Sequence, residues 1–255
     1  MQRNYILILL AISLWAFVSC GKEENPLPDL PEWKKNNTVV VQFYSKLSNE
    51  TLFGTNDYSS VINHIRINQS QVAVLHRADA VYNLTQMQNP MVAIAEETVK
   101  IPVFAWNRYS GTRVEGSGIL IGHTVAEMKN TPVSDGCNYF TVPVTMVTTS
   151  GSVNMTFASV CFENESQLTA GAAIAKQKLD DKTVLVGVVE KALQNKLKSE
   201  FPEGAYRTET IESKNGKADQ TIFVITSPKW IVREHTEVAV GTDGILCFDI
   251  KIEKL

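Results

Sequence analysis

Three acidic residues near the ends of predicted strands could bind a divalent cation. Glu190 follows the buried β-branched run 183–187, Asp219 lies at the start of the apolar run 218–225, and Asp243 stands just before the last predicted strand. Carboxylate oxygens are the hard ligands that magnesium prefers. Acids at strand ends are usually solvated, however, so the pattern indicates either a metal site or an ordinary polar surface.

Motifs for other chemistries do not occur in the sequence. It has no Gly-x-Ser-x-Gly elbow, no Walker-type phosphate loop and no His-Glu-x-x-His helix. Beyond Cys20 the cysteines are Cys137, Cys161 and Cys247, with neither Cys-x-x-Cys spacing nor a Cys/His pairing that could hold zinc. Cys161 and Cys247 lie within apolar strand patterns, which predicts buried thiols. The sequence leaves one disulfide possible.

The composition favours a single α/β domain. The chain has 255 residues, of which 44% are hydrophobic and 20% charged, enough for one sizeable core or two small ones. Its formal net charge of -3 argues against non-specific binding of nucleic acid as the main activity. We therefore expect a monomer with no nucleic-acid partner.

Residues 1–19 are predicted to be an export signal rather than part of the fold. Arg3 gives a positive start, and the apolar stretch 5–18 is too short and too early for a stable membrane span. Small and apolar residues directly before Cys20 favour a bacterial lipoprotein signal, cleaved so that Cys20 carries a lipid anchor into the membrane. A plain secretory signal is the alternative.

Residues 20–36 are predicted to be a lipidated tether. Residues 21–25, Gly-Lys-Glu-Glu-Asn, resemble the lysine-and-acid tag of surface lipoproteins of the Bacteroidetes, which implies an outer-membrane protein at the cell surface. A simple solvated charged run is the alternative. Three prolines within 25–31 stiffen the spacer. We expect the folded domain to cover 37–255.

Strand and helix patterns alternate along this domain. Strands are predicted at 38–44, 72–76, 101–106, 118–121, 138–146, 151–161, 183–187, 206–211, 218–225 and 245–252. Helices are predicted after Asp57, at 79–100 with a break at Pro90, at 168–179 and at 191–201. The stretch between the last two strands is predicted to be a loop that begins with a Ser-Pro turn.

This order of elements resembles the endonuclease/exonuclease/phosphatase family, the deoxyribonuclease-like metal-dependent phosphoesterases. The local segments that carry the resemblance are Glu-Gly-Ser-Gly-Ile-Leu-Ile at 115–121, the strands 153–163 and 183–187, and the closing segment 218–252. The resemblance implies an α/β fold of two packed mixed β-sheets flanked by helices, a four-layer sandwich. In that family, the chemistry is phosphoester hydrolysis assisted by magnesium.

Three family positions in the first two thirds of the chain hold residues of a different type. By the resemblance, Tyr44 replaces an asparagine, Arg77 replaces the glutamate that is the principal magnesium ligand, and Val160 replaces a histidine that contacts phosphate. A guanidinium has only donors and a positive charge, so Arg77 would repel the ion. A valine neither donates nor accepts a proton.

The last third of the chain departs from the family in the same way. Val188 and Glu190 replace an aspartate that activates water and an asparagine that holds the phosphate, and Gly244 replaces the catalytic histidine. Asp243 agrees with the family, and Asp219 is a structural match. These exchanges remove the parts that metal-assisted hydrolysis needs.

The sequence therefore predicts a degenerate, catalytically inactive member of the fold on a lipid anchor. We expect a binding or accessory module for a glycan or a protein, with no catalytic residue, metal or other cofactor. The alternative is a divalent-metal-dependent phosphodiesterase or phosphatase in which Asp219, Asp243 and Glu190 form a rearranged acidic site for magnesium. A purely structural envelope protein is a third possibility.

Overall fold

Two β-sheets pack face to face in the computed structural model. The structure describes residues 38–48, 50–52, 58–68, 70–81, 90–110, 113–148, 151–214, 218–242 and 244–255. These residues all fall in one compact unit. The predicted signal and tether, 1–36, lie outside the described residues.

The first sheet has six strands and contains both ends of the described chain. Its members are β1 (Thr38–Ser45), β2 (Val72–Val81), β3 (Ile101–Ser110), β4 (Arg113–Ile121), β12 (Trp230–Val240) and β13 (Ile245–Lys254). Their order across the sheet is β12-β13-β1-β2-β4-β3. β1 and β2 are parallel, and the other neighbours are antiparallel.

The second sheet has seven strands and the same mixed character. Its members are β5 (Thr124–Val125), β6 (Lys129–Ser134), β7 (Cys137–Thr148), β8 (Gly151–Phe162), β9 (Thr183–Glu190), β10 (Arg207–Ile211) and β11 (Gln220–Thr226). The order is β10-β11-β9-β8-β7-β5, with β6 also paired to β7. β8 and β9 are parallel, so their carboxyl ends lie at the same edge of the sheet.

Helices cover the outer face of each sheet. The first sheet carries α1 (Ser59–Asn68) and α2 (Pro90–Thr98), and the second carries α3 (Glu165–Lys178), a 3-10 turn (Lys191–Leu193) and α4 (Gln194–Glu200). Asn164 caps α3 by accepting a hydrogen bond from the backbone N–H of Gln167 at 2.9 Å. None of the helices in the described ranges is long and apolar enough to cross a membrane.

Three apolar clusters fill the spaces between the four layers. The largest lies between the sheets and includes Phe43, Phe157, Val188 and Phe248. A second packs α1 and α2 on the first sheet, and a third packs α3 and α4 on the second. The predicted fold class, an α/β sandwich of two mixed sheets flanked by helices, is confirmed.

Two segments differ from the sequence prediction. The helix predicted at 79–100 with a break at Pro90 is confirmed only in part: α2 covers Pro90–Thr98 with Pro90 as its first residue, whereas 79–81 belong to β2 and 82–89 lie outside the described residues. The first helical turn needs no N–H from its first residue, so proline suits that place. The predicted loop before the last strand is mostly β12, an edge strand whose middle is exposed and polar and therefore lacks an apolar alternation.

The three described cysteines are free and buried, as predicted for Cys161 and Cys247, and they form no disulfide. The sequence spacing indicated no Cys/His pairing, but the fold brings Cys247 close to His64 of α1 and to Asp249. That pairing joins residues 183 positions apart in the sequence, which no local motif could indicate.

Candidate functional site

A polar pocket lies at one mouth of the sandwich, between the two sheets and beside the carboxyl ends of β8 and β9. Because β8 and β9 are parallel, Glu163 after β8 and Glu190 at the end of β9 lie at the same edge of the second sheet, and Arg77 of β2 meets them from the first. The cavity has a volume of about 370 Å³. Its lining side chains are charged or polar: Arg77, Arg108, Glu115, Glu163, Asn164 and Glu190.

A β-bulge directs Arg77 into this pocket. The pairing of β2 with β4 shifts between Leu75 and Ala78, and both of these residues belong to the apolar cluster under the helices. In a regular strand, residue 77 would point to that same face, because side chains alternate with period two. The extra residue re-aims the side chain. The backbone of Arg77 takes a φ of 52°, a left-handed conformation that costs a side-chain-bearing residue about 1 kcal/mol.

Two carboxylates from different sheets hold the Arg77 guanidinium. Its Nε lies 3.2 Å from Glu115 Oε1, and its Nη2 donates to Glu163 Oε1. The Arg77 side chain is 7% exposed and each glutamate side chain 22%. Because Glu115 belongs to β4 and Glu163 follows β8, this ion-paired group ties the first sheet to the second at the mouth.

Arg108 extends the group toward solvent. Its Nη2 lies 3.3 Å from Glu163 Oε2, and its side chain is 47% exposed. Glu163 therefore accepts from two guanidinium groups, one buried and one open to water. With Glu190, the pocket has three carboxylates and two guanidinium groups, so the negative charges outnumber the positive ones by one.

His76 lies beneath the pocket, between the two sheets. Its ring stacks on Phe43 with the ring centroids 6.1 Å apart, and its Nε2 is 3.9 Å from Cys161 Sγ. Burial, and then the adjacent Arg77 guanidinium, lower the pKa of His76 to about 3, and a hydrogen bond with Gln220 opposes that shift only in part. The imidazole is therefore neutral at physiological pH.

Solved structures show what this fold resembles, although no family model and no curated protein matches the sequence. An endonuclease/exonuclease/phosphatase from Beutenbergia cavernae aligns with a TM-score of 0.61 and 11% identity over 85% of this chain and 72% of its own. One from Bacteroides vulgatus aligns with a TM-score of 0.61 and 10% identity over 86% and 99%. The protein has the endonuclease/exonuclease/phosphatase fold.

The human Nocturnin catalytic domain, solved with a bound sulfate anion, shares this endonuclease/exonuclease/phosphatase fold. It aligns with a TM-score of 0.58 and 10% identity over 86% of this chain and 94% of its own. Because the sequence identities are only 10–11%, these structural similarities establish the fold and nothing about activity.

Within the endonuclease/exonuclease/phosphatase fold, the side chains at several family positions point away from the pocket. Tyr44 is fully buried on the helix-covered face of the first sheet. Val160 packs under the helices of the second sheet, and Val188 packs between the sheets. Of the positions compared in the sequence, Arg77 and Glu190 line the pocket.

The remaining compared positions lie at turns or outside the described residues. Asp219 is exposed just before β11, and its carbonyl accepts a hydrogen bond from the Lys191 backbone N–H at 2.9 Å. Gly244 is exposed with a φ of 70°, and nothing lies within 4 Å of where a Cβ would be. Asp243, together with Cys20, is outside the described residues.

Sequence reasoning missed the partners of Arg77. Glu163 lies two residues beyond Cys161, whose side chain faces the space between the sheets, so the strand period already placed Glu163 on the same face. Glu115 was noted only as part of a resembling segment. Arg108 lies beyond the strand predicted at 101–106 but is part of β3.

The residues at this mouth do not fit a magnesium ion at the position of Arg77. Magnesium requires oxygen ligands in near-octahedral geometry, and two of the three available carboxylates already accept from the guanidinium. A second cation there would face the fixed positive charge of Arg77. We therefore derive no hydrolytic step through a metal ion at this site.

Proposed function

We propose that this protein is a catalytically inactive member of the endonuclease/exonuclease/phosphatase fold that acts as a binding or accessory module. The observation that carries the proposal is the Arg77 guanidinium, buried in the pocket between Glu115 and Glu163. It supplies, as part of the protein itself, the positive charge that a metal ion would otherwise bring to these carboxylates. The two glutamates then form ion pairs with an arginine side chain rather than coordinating a metal ion.

The other groups at the mouth support the same proposal. Hydrolysis of a phosphoester needs an activated water and donors aimed at the developing charge. His76 is neutral and buried beneath the pocket, and Val160 and Val188 lie in apolar clusters. The pocket carries more carboxylates than guanidinium groups, so its field disfavours a polyanionic phosphodiester.

We propose a glycan or a protein as the bound partner, on a surface lipoprotein of the outer membrane. A polar pocket with both donors and acceptors can bind hydroxyl or peptide groups without metal, because guanidinium groups donate and carboxylates accept hydrogen bonds. The anchor is a proposal from the sequence around Cys20. It would place this pocket at the cell surface, where such ligands are available.

The catalytic part of the proposal is tested by calorimetry with magnesium and manganese, next to a generic phosphodiester assay. An active protein of the same fold is assayed in parallel as the positive control. We expect neither saturable binding at the mouth nor turnover above the buffer blank. Turnover that disappears in both Asp243→Ala and Glu190→Gln would overturn the proposal.

The binding part is tested on a glycan array and by cross-linking on the cell surface. Arg108→Ala and Glu190→Ala alter the pocket without touching Arg77. Lys229→Ala and Glu234→Ala remove one charge of each sign outside the pocket and are the matched controls. We expect a ligand that is lost in the pocket variants and kept in the controls. Equal retention by all four variants would show that the pocket is not the binding site.

The alternative, a metal-dependent phosphoesterase with a rearranged acidic site, has one observation in its favour. Glu115, Glu163 and Glu190 line a single cavity, so three carboxylates lie close together, although only Glu190 is among the three acids that the sequence suggested. Asp219 is exposed and does not line that cavity. The metal titration decides between the two functions, because this alternative requires manganese or magnesium binding that weakens in Glu190→Gln.

A further inference from the structure

A polar group lies on the outer face of the first sheet, under α1, in an otherwise apolar layer. The register of β1 and β13 pairs Gln42 with Asp249 and Tyr44 with Cys247. Residues two apart on a strand share one face, so these four side chains point to the same side. α1 then places His64 over them, with Nδ1 3.1 Å from the Tyr44 hydroxyl.

His64, Cys247 and Asp249 are of types that bind transition metals, and they lie close together. One ligand atom each from His64, Cys247 and Asp249 lie within 4.8 Å of one another. Cys247 Sγ is 3.7 Å from Asp249 Oδ1. Around a tetrahedral zinc ion, the ligand atoms are separated by about 3.3–3.6 Å, so small side-chain shifts would bring the three atoms onto one ion.

The imidazole of His64 is held in place by a neighbour on α1. Its Nε2 lies 3.0 Å from the Asn68 side-chain amide, one helical turn further along α1. The Asn68 Nδ2 group, which also donates to the His64 carbonyl at 3.1 Å, has only donor hydrogens, so Nε2 accepts and the ring proton lies on Nδ1 in the metal-free protein. Histidine ligands usually donate from their second nitrogen, so a metal at Nδ1 requires that proton to move to Nε2 and the Asn68 amide to turn its oxygen toward it. Here the nitrogen that faces Tyr44 and the sheet is Nδ1.

We propose that His64 Nδ1, Cys247 Sγ and Asp249 Oδ1 bind one divalent transition-metal ion of the zinc class. Binding displaces the thiol proton of Cys247 to solvent, and the resulting thiolate and carboxylate neutralise the charge of the ion. His64 and Asp249 are only partly buried, so water can reach the fourth position. The ion ties α1 to β13.

This site is independent of the proposed binding function and of the family's magnesium position. It lies on the helix-covered face of the first sheet, whereas the pocket with Arg77 opens between the ends of the two sheets. The two sites also differ in ligand type, because a thiolate and an imidazole suit zinc and cobalt rather than magnesium.

The experiment is a titration of the purified, chelator-treated protein with Co²⁺, followed by displacement with Zn²⁺. Thiolate ligation to cobalt gives a near-ultraviolet charge-transfer absorption that water or carboxylate ligands do not give. We expect that band to saturate at one equivalent and to disappear when zinc is added. We expect it to be absent in Cys247→Ala, and binding to weaken about tenfold or more in His64→Gln and Asp249→Asn.

Cys161→Ala and Cys137→Ala are the matched controls, because each removes another buried free thiol. Both should bind cobalt as the parent protein does. A parent protein without the band overturns the proposal, whatever the variants do, as does a band that persists in Cys247→Ala. If Cys247→Ala does not fold, the nearly isosteric Asp249→Asn and the parent titration still decide the question.

Discussion

Two histidine–cysteine pairs lie on opposite faces of the first sheet, and the charge beside them differs in sign. His76 and Cys161 meet between the sheets, where Arg77 adjoins the imidazole. His64 and Cys247 meet under α1, where Asp249 is the neighbour. A nearby cation disfavours a second positive charge, and a carboxylate favours it. The same two side-chain types therefore form a buried core contact in one place and a candidate metal site in the other.

Both thiols are protonated in the metal-free protein, so the difference does not lie in the cysteines. Burial is the first cause that raises the pKa of Cys161 and also that of Cys247. What differs is the charge that a metal ion would meet when it binds the deprotonated thiol. A metal at Cys247 would bring Asp249 as a second anionic ligand, whereas an ion at Cys161 would face the guanidinium of Arg77. The third group therefore decides the chemistry of a His/Cys pair.

Removal of Arg77, the cation beside His76 and Cys161, should have the largest effect on stability. In Arg77→Met the partly buried carboxylates of Glu115 and Glu163 lose their shared buried partner, which should lower the free energy of unfolding by about 3 kcal/mol. Urea denaturation measures the change. Arg108→Met removes the half-exposed partner of the same Glu163 and should cost less than about 1 kcal/mol. Equal losses in the two variants would show that burial of Arg77 is not what makes its ion pairs strong.

The second-largest effect is expected from zinc, which should bind at the His64–Cys247 pair but not at the His76–Cys161 pair. Zinc at about one hundred times its dissociation constant should stabilise the native state by about 2.7 kcal/mol. For a domain of this size, that corresponds to a rise of about 5–10 °C in Tm, measured by thermal denaturation. The rise should persist in Cys161→Ala and vanish in Cys247→Ala. Magnesium at the same concentration should leave Tm unchanged, and a magnesium shift would instead favour a site at the polar mouth.

Acid should destabilise the protein through His76. The folded pKa of about 3 lies below the usual value of 6.5, so between these values the unfolded chain binds a proton that the native state does not. Stability therefore falls as pH decreases through that window, by up to about 1.4 kcal/mol per pH unit, or about 2–3 kcal/mol at pH 4.5.

Urea titrations of the parent and His76→Gln at pH 7 and pH 4.5 measure this contribution. The pH dependence should be weaker in His76→Gln. His235 is exposed on β12, and His235→Gln should keep the dependence of the parent. A His76→Gln variant that loses stability with acid as steeply as the parent would show that His76 does not carry it.

The smallest stability effect is expected at Glu190. Glu190→Gln keeps the size of a pocket-lining side chain and should change the free energy of unfolding by less than about 0.5 kcal/mol. Manganese titration of the same variant makes it informative. If neither the parent protein nor Glu190→Gln binds manganese, the result agrees with an inactive pocket. If the parent binds manganese and Glu190→Gln does not, the result supports the rearranged acidic site.

Much of the fold could be predicted from the sequence, because buried strands and amphipathic helices leave local periodic patterns. The β-branched runs at 38–44 and 183–187 correspond to β1 and β9. β12 was missed because an exposed edge strand has no apolar face over its middle residues. Within the range 79–100, where a broken helix was predicted, the described helix is Pro90–Thr98, because Pro90 begins α2 rather than interrupting a longer helix.

The candidate site was predicted less completely than the fold. Arg77 and Glu190 were singled out by comparison with family positions, and both line the pocket. Glu115 and Arg108 were not, because their approach to the mouth depends on the lengths of β3 and β4 and on the bulges in their pairing. Those features follow from cross-strand contacts rather than from local propensity.

The amino-acid sequence by itself determined most strands and helices of an α/β domain, since local periodicity suffices for them, whereas the two-sheet sandwich and the replacement of a carboxylate by Arg77 were expectations that the resemblance to the family implied. Only the tertiary structure showed that Arg77 forms ion pairs with glutamates from two sheets, and that His64 lies over Cys247 and Asp249. These groups join residues 38 to 185 positions apart. Their proximity is set by sheet register and helix packing, which no stretch of neighbouring residues encodes.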